Sequence, residues 1–148
     1  MSVYCPYKDG PALYLDCKDC DKKICNAFFC LVVGSRTFSD FDFLKKKLDH
    51  LLSNYSPNVI IVSGGAKGAD TLAERYANEK GYEKMIFYAD WKKFGNQAGY
   101  IRNRQMHEFI SKQKNRGVVA FWDGKSNGTK HSFSLAKEFY NPLKVIRF

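Results

Sequence analysis

With 148 residues the chain is long enough for one domain with a sizeable core and too short for two full ones. Hydrophobic residues make up 45% and aromatics 16%, which argues against disorder, and the longest apolar runs, Phe28 to Val33 and Val59 to Val62, are too short to cross a bilayer. A formal net charge of +9 admits an anionic partner, either nucleic acid or a small phosphate ligand, but the lysines are scattered and form no long basic arm.

Residues 1–26 are rich in Cys, Asp and Lys and show no clear period, so they are expected to form a Cys-rich extension ahead of a domain over 27–148. The start Met1-Ser2-Val3-Tyr4 has neither the basic region nor the apolar stretch of a signal peptide, which predicts a cytoplasmic location and no membrane partner. Four of the five cysteines, Cys5, Cys17, Cys20 and Cys25, lie in this extension. In a reducing compartment they are not obvious disulfides. Cys17-x-x-Cys20 with Cys25 and Cys5 supplies four thiolates, enough for a tetrahedral zinc site, the only cofactor suggested. The alternative is free cysteines in an arm that packs on the domain. Cys30 lies inside an apolar run and reads as a small buried hydrophobe.

From Phe28 the pattern becomes regular. Phe28 to Val33, ending in Gly34, suits a strand buried on both faces. Ser39, with Asp42 three residues on, offers a helix cap, and Phe41, Leu44, Leu48, Leu51, Leu52 and Tyr55 follow at helical spacing. Pro57-Asn58 breaks that helix. Val59 to Val62 is a second apolar strand, followed by the turn Ser63-Gly64-Gly65-Ala66-Lys67-Gly68. A helix from about Ala69 runs to Gly81. Met85 to Tyr88 reads as a third strand, Asp90 to Ala98 as a loop and Gly99 to Lys114 as a helix. Val118 to Trp122 is a fourth strand, Asp123 to Lys130 a loop, His131 to Tyr140 a helix and Lys144 to Phe148 a last strand. Short apolar strands alternating with helices predict an α/β Rossmann-like three-layer sandwich on a parallel sheet of about five strands.

In such sheets ligands bind where strands end and helices begin. Those loops carry Gly34-Ser35-Arg36, Ser63 to Asp70, Asp90-Trp91, Gly99 to Asn103 and Asp123 to Thr129. Glycines let backbone N–H groups approach a phosphate, and a following helix presents its positive end. The glycine turn is neither a Walker A sequence nor a Gly-x-Gly-x-x-Gly fingerprint. Arg36 suits bidentate phosphate contact or a surface ion pair. Arg102 reads as opening a helix, where a cation opposes the dipole. Asp70 reads as a helix cap, or as a partner for a ribose hydroxyl. Trp91 is placed either to stack on a base or to cover the sheet edge, and Asp123 to make a turn. His131 is a weak acid/base candidate, and no Ser/His/Asp or Cys/His set stands out.

Together the series Gly34-Ser35-Arg36-Thr37-Phe38, Ser63-Gly64-Gly65-Ala66-Lys67-Gly68-Ala69-Asp70, Ala89-Asp90-Trp91, Ala98-Gly99-x-x-Arg102-Asn103-x-x-Met106 and Ala120-Phe121-Trp122-Asp123-Gly124-x-Ser126-x-Gly128-Thr129-x-His131 resembles the YspA-related branch of the SLOG superfamily, over about residues 30 to 138. The resemblance implies a Rossmann-like fold. It places a phosphate-bearing ligand against Gly34, Ser35, Arg36, Gly64, Gly65, Gly68, Gly128 and Thr129, with Asp70, Arg102 and Asn103 as further pocket residues. The superfamily includes the single-stranded DNA-binding DNA-processing protein A family and the LOG hydrolases of nucleoside monophosphates. Those hydrolases carry Pro-Gly-Gly-x-Gly-Thr-x-x-Glu. Aligned on Gly68, this chain has Ala69 at the Thr and Leu72 at the Glu, and Glu74 lies about 200° round the helix. The leading expectation is therefore a protein that binds, and senses or processes, a nucleotide-derived small molecule. A hydrolase of a nucleotide derivative and a single-stranded DNA-binding protein are the alternatives, with enzymatic activity and homo-oligomerisation left open.

Overall fold

The structure, a computed structural model, describes residues 26–148 and, before them, only the backbone of residues 2–4 and 11–13. Strands β1 (Ser2–Tyr4) and β2 (Pro11–Leu13) pair antiparallel, a pairing that the aperiodic sequence there does not announce. Cys5, Cys17, Cys20 and Cys25, with the zinc site expected on them, lie outside the described residues.

The apolar runs become the middle of a five-stranded sheet. Along β3 (Phe28–Gly34), Phe29, Leu31 and Val33 point to one face while Cys30 and Val32 point to the other, and all five are buried. A strand covered on both faces has no polar side to show, hence the unbroken run. Helices α1 (Phe41–Leu51) and α2 (Ala69–Lys80) cover the face of Cys30 and Val32 through Leu44, Leu48, Ala73 and Tyr76. Helix α4 (Ala98–Ser111) covers the face of Phe29, Leu31 and Val33 through Met106 and Ile110 and packs beside α5 (Asn127–Glu138). The three-layer α/β sandwich is as expected. Burial also pushes the Cys30 thiol up to about 12, which keeps it protonated and inert.

With β4 (Val59–Ser63), β5 (Glu83–Ile86), β6 (Asn115–Trp122) and β7 (Leu143–Arg147), the sheet order is β5-β4-β3-β6-β7, and every neighbouring pair is parallel. The chain steps outward from β3 in one direction and then crosses back to β6 on β3's other side. The loops leaving β3 and β6 therefore diverge, and a crevice opens at their carboxyl ends.

Local chemistry moved several boundaries. Asp40, not Ser39, caps α1, its Oδ1 accepting the Phe43 N–H at 3.0 Å. That helix stops at Leu51, and Tyr55 instead stacks on Phe28 with ring centroids 4.0 Å apart. Strand β5 starts two residues early, at Glu83 opposite Ile60; it is an edge strand, where exposed Glu83 and Lys84 are tolerated. The expected loop 90–98 is ordered: Asp90 accepts the Lys93 N–H at 3.1 Å and caps α3 (Trp91–Phe94), which runs through a 3₁₀ turn into α4. Helix α5 begins four residues before His131 because Ser126 caps it, accepting the Thr129 N–H. No helix among the described residues is long and apolar enough to cross a membrane.

Candidate ligand-binding site

The crevice is assembled by chain packing first. A Cβ at Gly34 would lie 2.5 Å from Ala69 Cβ and 2.6 Å from the Phe121 carbonyl, so only glycine lets β3 end between β6 and the start of α2. Ser35 ties three loops together. Its N–H donates to the Phe121 carbonyl at 2.9 Å, its carbonyl accepts from Phe38 and Ala69, and its buried Oγ accepts the Asp123 N–H at 3.1 Å. Gly68, at φ 80°, has a hypothetical Cβ 2.4 Å from the Ser35 carbonyl. The close approach that requires glycine at 34 and 68 is to the protein's own chain.

The glycine turn after β4 is occupied from within. Gly65 N–H donates to Ser63 Oγ at 3.3 Å, and Ala66 N–H donates to Asp70 Oδ2 at 3.2 Å; the Gly64 N–H also serves that carboxylate. Asp70 does not cap the helix. Gly68 holds the cap position without a side-chain bond, and Asp70, in the first turn, folds back into the loop. Burial pushes its carboxyl up to about 6, outweighing the Ala66 N–H and the nearby Arg102 charge, which favour ionisation.

Arg102 does not open its helix either. Helix α4 starts four residues earlier, so Arg102 lies one turn in and is buried. Its Nη1 donates to the Gly64 carbonyl and its Nε to Asn103 Oδ1 at 3.0 Å, while Asn103 Nδ2 donates to the Gly128 carbonyl at 3.5 Å. One helix thus clamps the β4 and β6 loops. Burial first, and the like charge of Arg36 in addition, lower the Arg102 pKa, while Asp70 opposes them. Among the described residues neither Arg36 nor Arg102 forms an ion pair.

These elements surround a cavity of about 430 Å³ at the crevice. It brings together ten of the expected site residues: Gly34, Ser35, Arg36, Asp70, Trp91, Arg102, Asn103, Asp123, Gly128 and Thr129. Gly64 and Gly65 line a neighbouring cavity of about 390 Å³, and Gly68 lines neither. The first turn of α5 presents its positive end, and a Cβ at Gly128 would meet nothing within 4 Å. Thr129 is buried, with Oγ1 3.1 Å from Ser126 Oγ. Asp123 is held below the usual carboxylate range by the Lys125 and Ser126 N–H groups, both at 2.8 Å, so its charge is already engaged in the turn.

Ser126, which stands in the family motifs, also lines the cavity, as do Asn96, Tyr100 and Ser132, which the sequence does not single out. The only cue to Tyr100 was its place beside Gly99 at a helix start. Glu74 lines neither cavity and accepts from Ser63 Oγ at 3.2 Å, and the half-buried His131 packs edge-on against Tyr100 without lining the cavity.

A model of the YspA, cpYpsA-related SLOG family matches residues 30–94. Gene 61 protein of Mycobacterium phage D29 is 31% identical over 118 residues, covering 76% of this chain and 91% of that protein. The fold is similar to that of DNA processing protein A from Helicobacter pylori, a structure that describes a single-stranded DNA binding mode: the TM-score is 0.60 at 20% identity, over 84% of this chain and 68% of that one. DNA processing protein A from Streptococcus pneumoniae is similar with a TM-score of 0.56 at 21% identity, over 82% of this chain and 51% of that one.

Proposed function

The chain belongs to the YspA, cpYpsA-related SLOG family, and on that premise we propose that it binds a nucleotide or nucleotide-derived phosphate ligand in the cavity at the β3/β6 crevice. The observation that carries this reading is the pair of guanidiniums, Arg36 and Arg102, which repel one another at a cavity that also contains the start of α5. A phosphate there would relieve the repulsion, take charge-assisted hydrogen bonds from Arg36 and meet the helix's positive end. Trp91 and Tyr100, each about half exposed, offer ring faces for a base. Glu74 is bonded to Ser63 and Leu72 stands where the related hydrolases have Glu, which favours binding over hydrolysis by that route.

Calorimetric titration with a nucleoside 5′-monophosphate tests the reading. Wild type should bind, and Gly128→Leu, which fills open space over the helix start, should abolish binding in a folded protein. Undiminished affinity in that variant would exclude the cavity.

Single-stranded DNA is the second reading. It is favoured by the +9 charge and by exposed aromatics beside the basic cavity, and the similar Helicobacter pylori protein binds single-stranded DNA. Affinity for an oligonucleotide that falls steeply with salt, with no mononucleotide binding, would make it the leading one.

A further inference from the structure

The two cavities at the sheet edge are not separate features. The first lies over β3 and β6; the second lies over the β4 loop and is lined by Gly64, Gly65, Lys67 and Tyr88. Arg36, Ala66, Trp91 and Arg102 belong to both. The shared wall therefore carries both guanidiniums and one indole.

Tyr88 lines the second cavity alone and Trp91 the wall between the two, and each of these exposed aromatics lies beside a glycine. A Cβ on Gly65 would lie 2.8 Å from the Tyr88 ring, and one on Gly99 would lie 3.5 Å from the Trp91 ring. Tyr88 is nevertheless 72% exposed and Trp91 51%. Each is a large ring whose neighbouring glycine carries no side chain to crowd it and whose surface is half or more open to solvent. It is the arrangement expected of a platform on which a base stacks. Lys67, exposed beside Tyr88, adds a further cation to the second cavity.

We propose that the site is bipartite and takes two nucleotide units joined through phosphate, one in each cavity, with Arg36 and Arg102 in the shared wall holding the linking phosphate. This rests on the phosphate-binding reading above. The two units have two conceivable sources, a free dinucleotide or a step within a single strand, and they share the same chemistry.

The experiment compares three probes by calorimetry at one fixed ionic strength: thymidine 5′-monophosphate, the 5′-phosphorylated dithymidine dinucleotide and an eight-residue oligothymidine. Each is titrated into wild type and into Tyr88→Ala, a change at an exposed position of the second cavity, with folding checked by circular dichroism. The dinucleotide should bind at least about tenfold tighter than the monophosphate, and Tyr88→Ala should remove most of that gain. An oligothymidine no tighter than the dinucleotide would identify the free molecule as the source, and a much tighter one would identify a strand; both support a bipartite site. Equal affinity for monophosphate and dinucleotide would overturn the proposal and leave the phosphate-binding reading standing. So would a dinucleotide gain that survives Tyr88→Ala. Binding of none of the three probes would overturn both.

Discussion

Oδ2 of Asp70 accepts the backbone N–H of Ala66 at 3.2 Å, so the carboxylate of the α2 first turn sits inside the loop that precedes it. The same carboxylate lies near Arg102, whose Nη1 donates to the Gly64 carbonyl. Loop, acid and base form one unit, and its energetics are testable.

Burial raises the Asp70 carboxyl from 3.8 to about 6. An acid whose pKa is raised by folding contributes stability below its unfolded pKa and loses it as pH rises through the folded one. Asp70→Asn keeps an acceptor for Ala66 and removes the charge. It should be stabilising at pH 8, by about 1–3 kcal/mol, and nearly neutral below pH 4. Urea unfolding at the two pH values checks this; a variant less stable than wild type at pH 8 would show that the ionised form holds the loop.

The two arginines should separate cleanly. Arg36 is exposed and its side chain makes no hydrogen bond or ion pair among the described residues, so Arg36→Ala should change stability by no more than about 0.5 kcal/mol while weakening nucleotide binding by about 1.5–3 kcal/mol. Arg102→Ala strips the Gly64 carbonyl and Asn103 Oδ1 of their donor and leaves buried Asp70 without its nearby cation. It should cost about 3 kcal/mol or more in folding. Thermal melts paired with titrations distinguish the two.

Two glycines of the site should respond in opposite ways. Gly34→Ala drives a methyl group to 2.5 Å from Ala69 Cβ and should destabilise by about 1–3 kcal/mol. Gly128→Ala meets open space in a helix first turn and should be neutral or stabilising by up to about 1 kcal/mol. Denaturant midpoints read both; a destabilised Gly128→Ala would mean that this glycine serves the fold.

His107 is fully buried, with Nδ1 3.2 Å from Asn141 Nδ2 and Nε2 without a hydrogen-bond partner among the described residues. Burial, with a smaller contribution from His131, lowers its pKa from 6.5 to about 4. A group whose pKa is depressed by folding contributes stability above its unfolded pKa, and that contribution is lost as pH falls toward the folded one. We expect His107 to impose a loss of about 3 kcal/mol between pH 6.5 and 4, and His107→Gln to remove that slope. Asp70 acts in the opposite sense over part of this range, so the comparison is between wild type and variant. Proton NMR should show the imidazole still neutral at pH 5.

The sequence by itself determined the sheet and its layers, because strands buried on both faces must be apolar throughout, as Phe28 to Val33 and Val59 to Val62 are, and helices on a sheet must repeat every three or four residues, as Leu44, Leu48 and their neighbours do. It also brought most of the cavity's residues into view, since Gly, Arg and Thr at strand–helix junctions mark chain positions at one sheet edge. What each of them does was decided only by tertiary contacts. Asp70 reads as a cap because its neighbours in sequence invite that reading; folding back beside Arg102 made it the loop's internal hydrogen-bond acceptor. Gly34 and Gly68 read as phosphate glycines; Ala69 and Phe121 fill the space at the first and the Ser35–Arg36 backbone that at the second. Arg102 reads as a cation at a helix start; Asp90 and the turn after it moved that start, and the guanidinium went inward to Gly64. Spacing along a chain records which residues share an edge, but partners from segments dozens of residues away compete for each donor and acceptor, and burial sets the outcome of that competition.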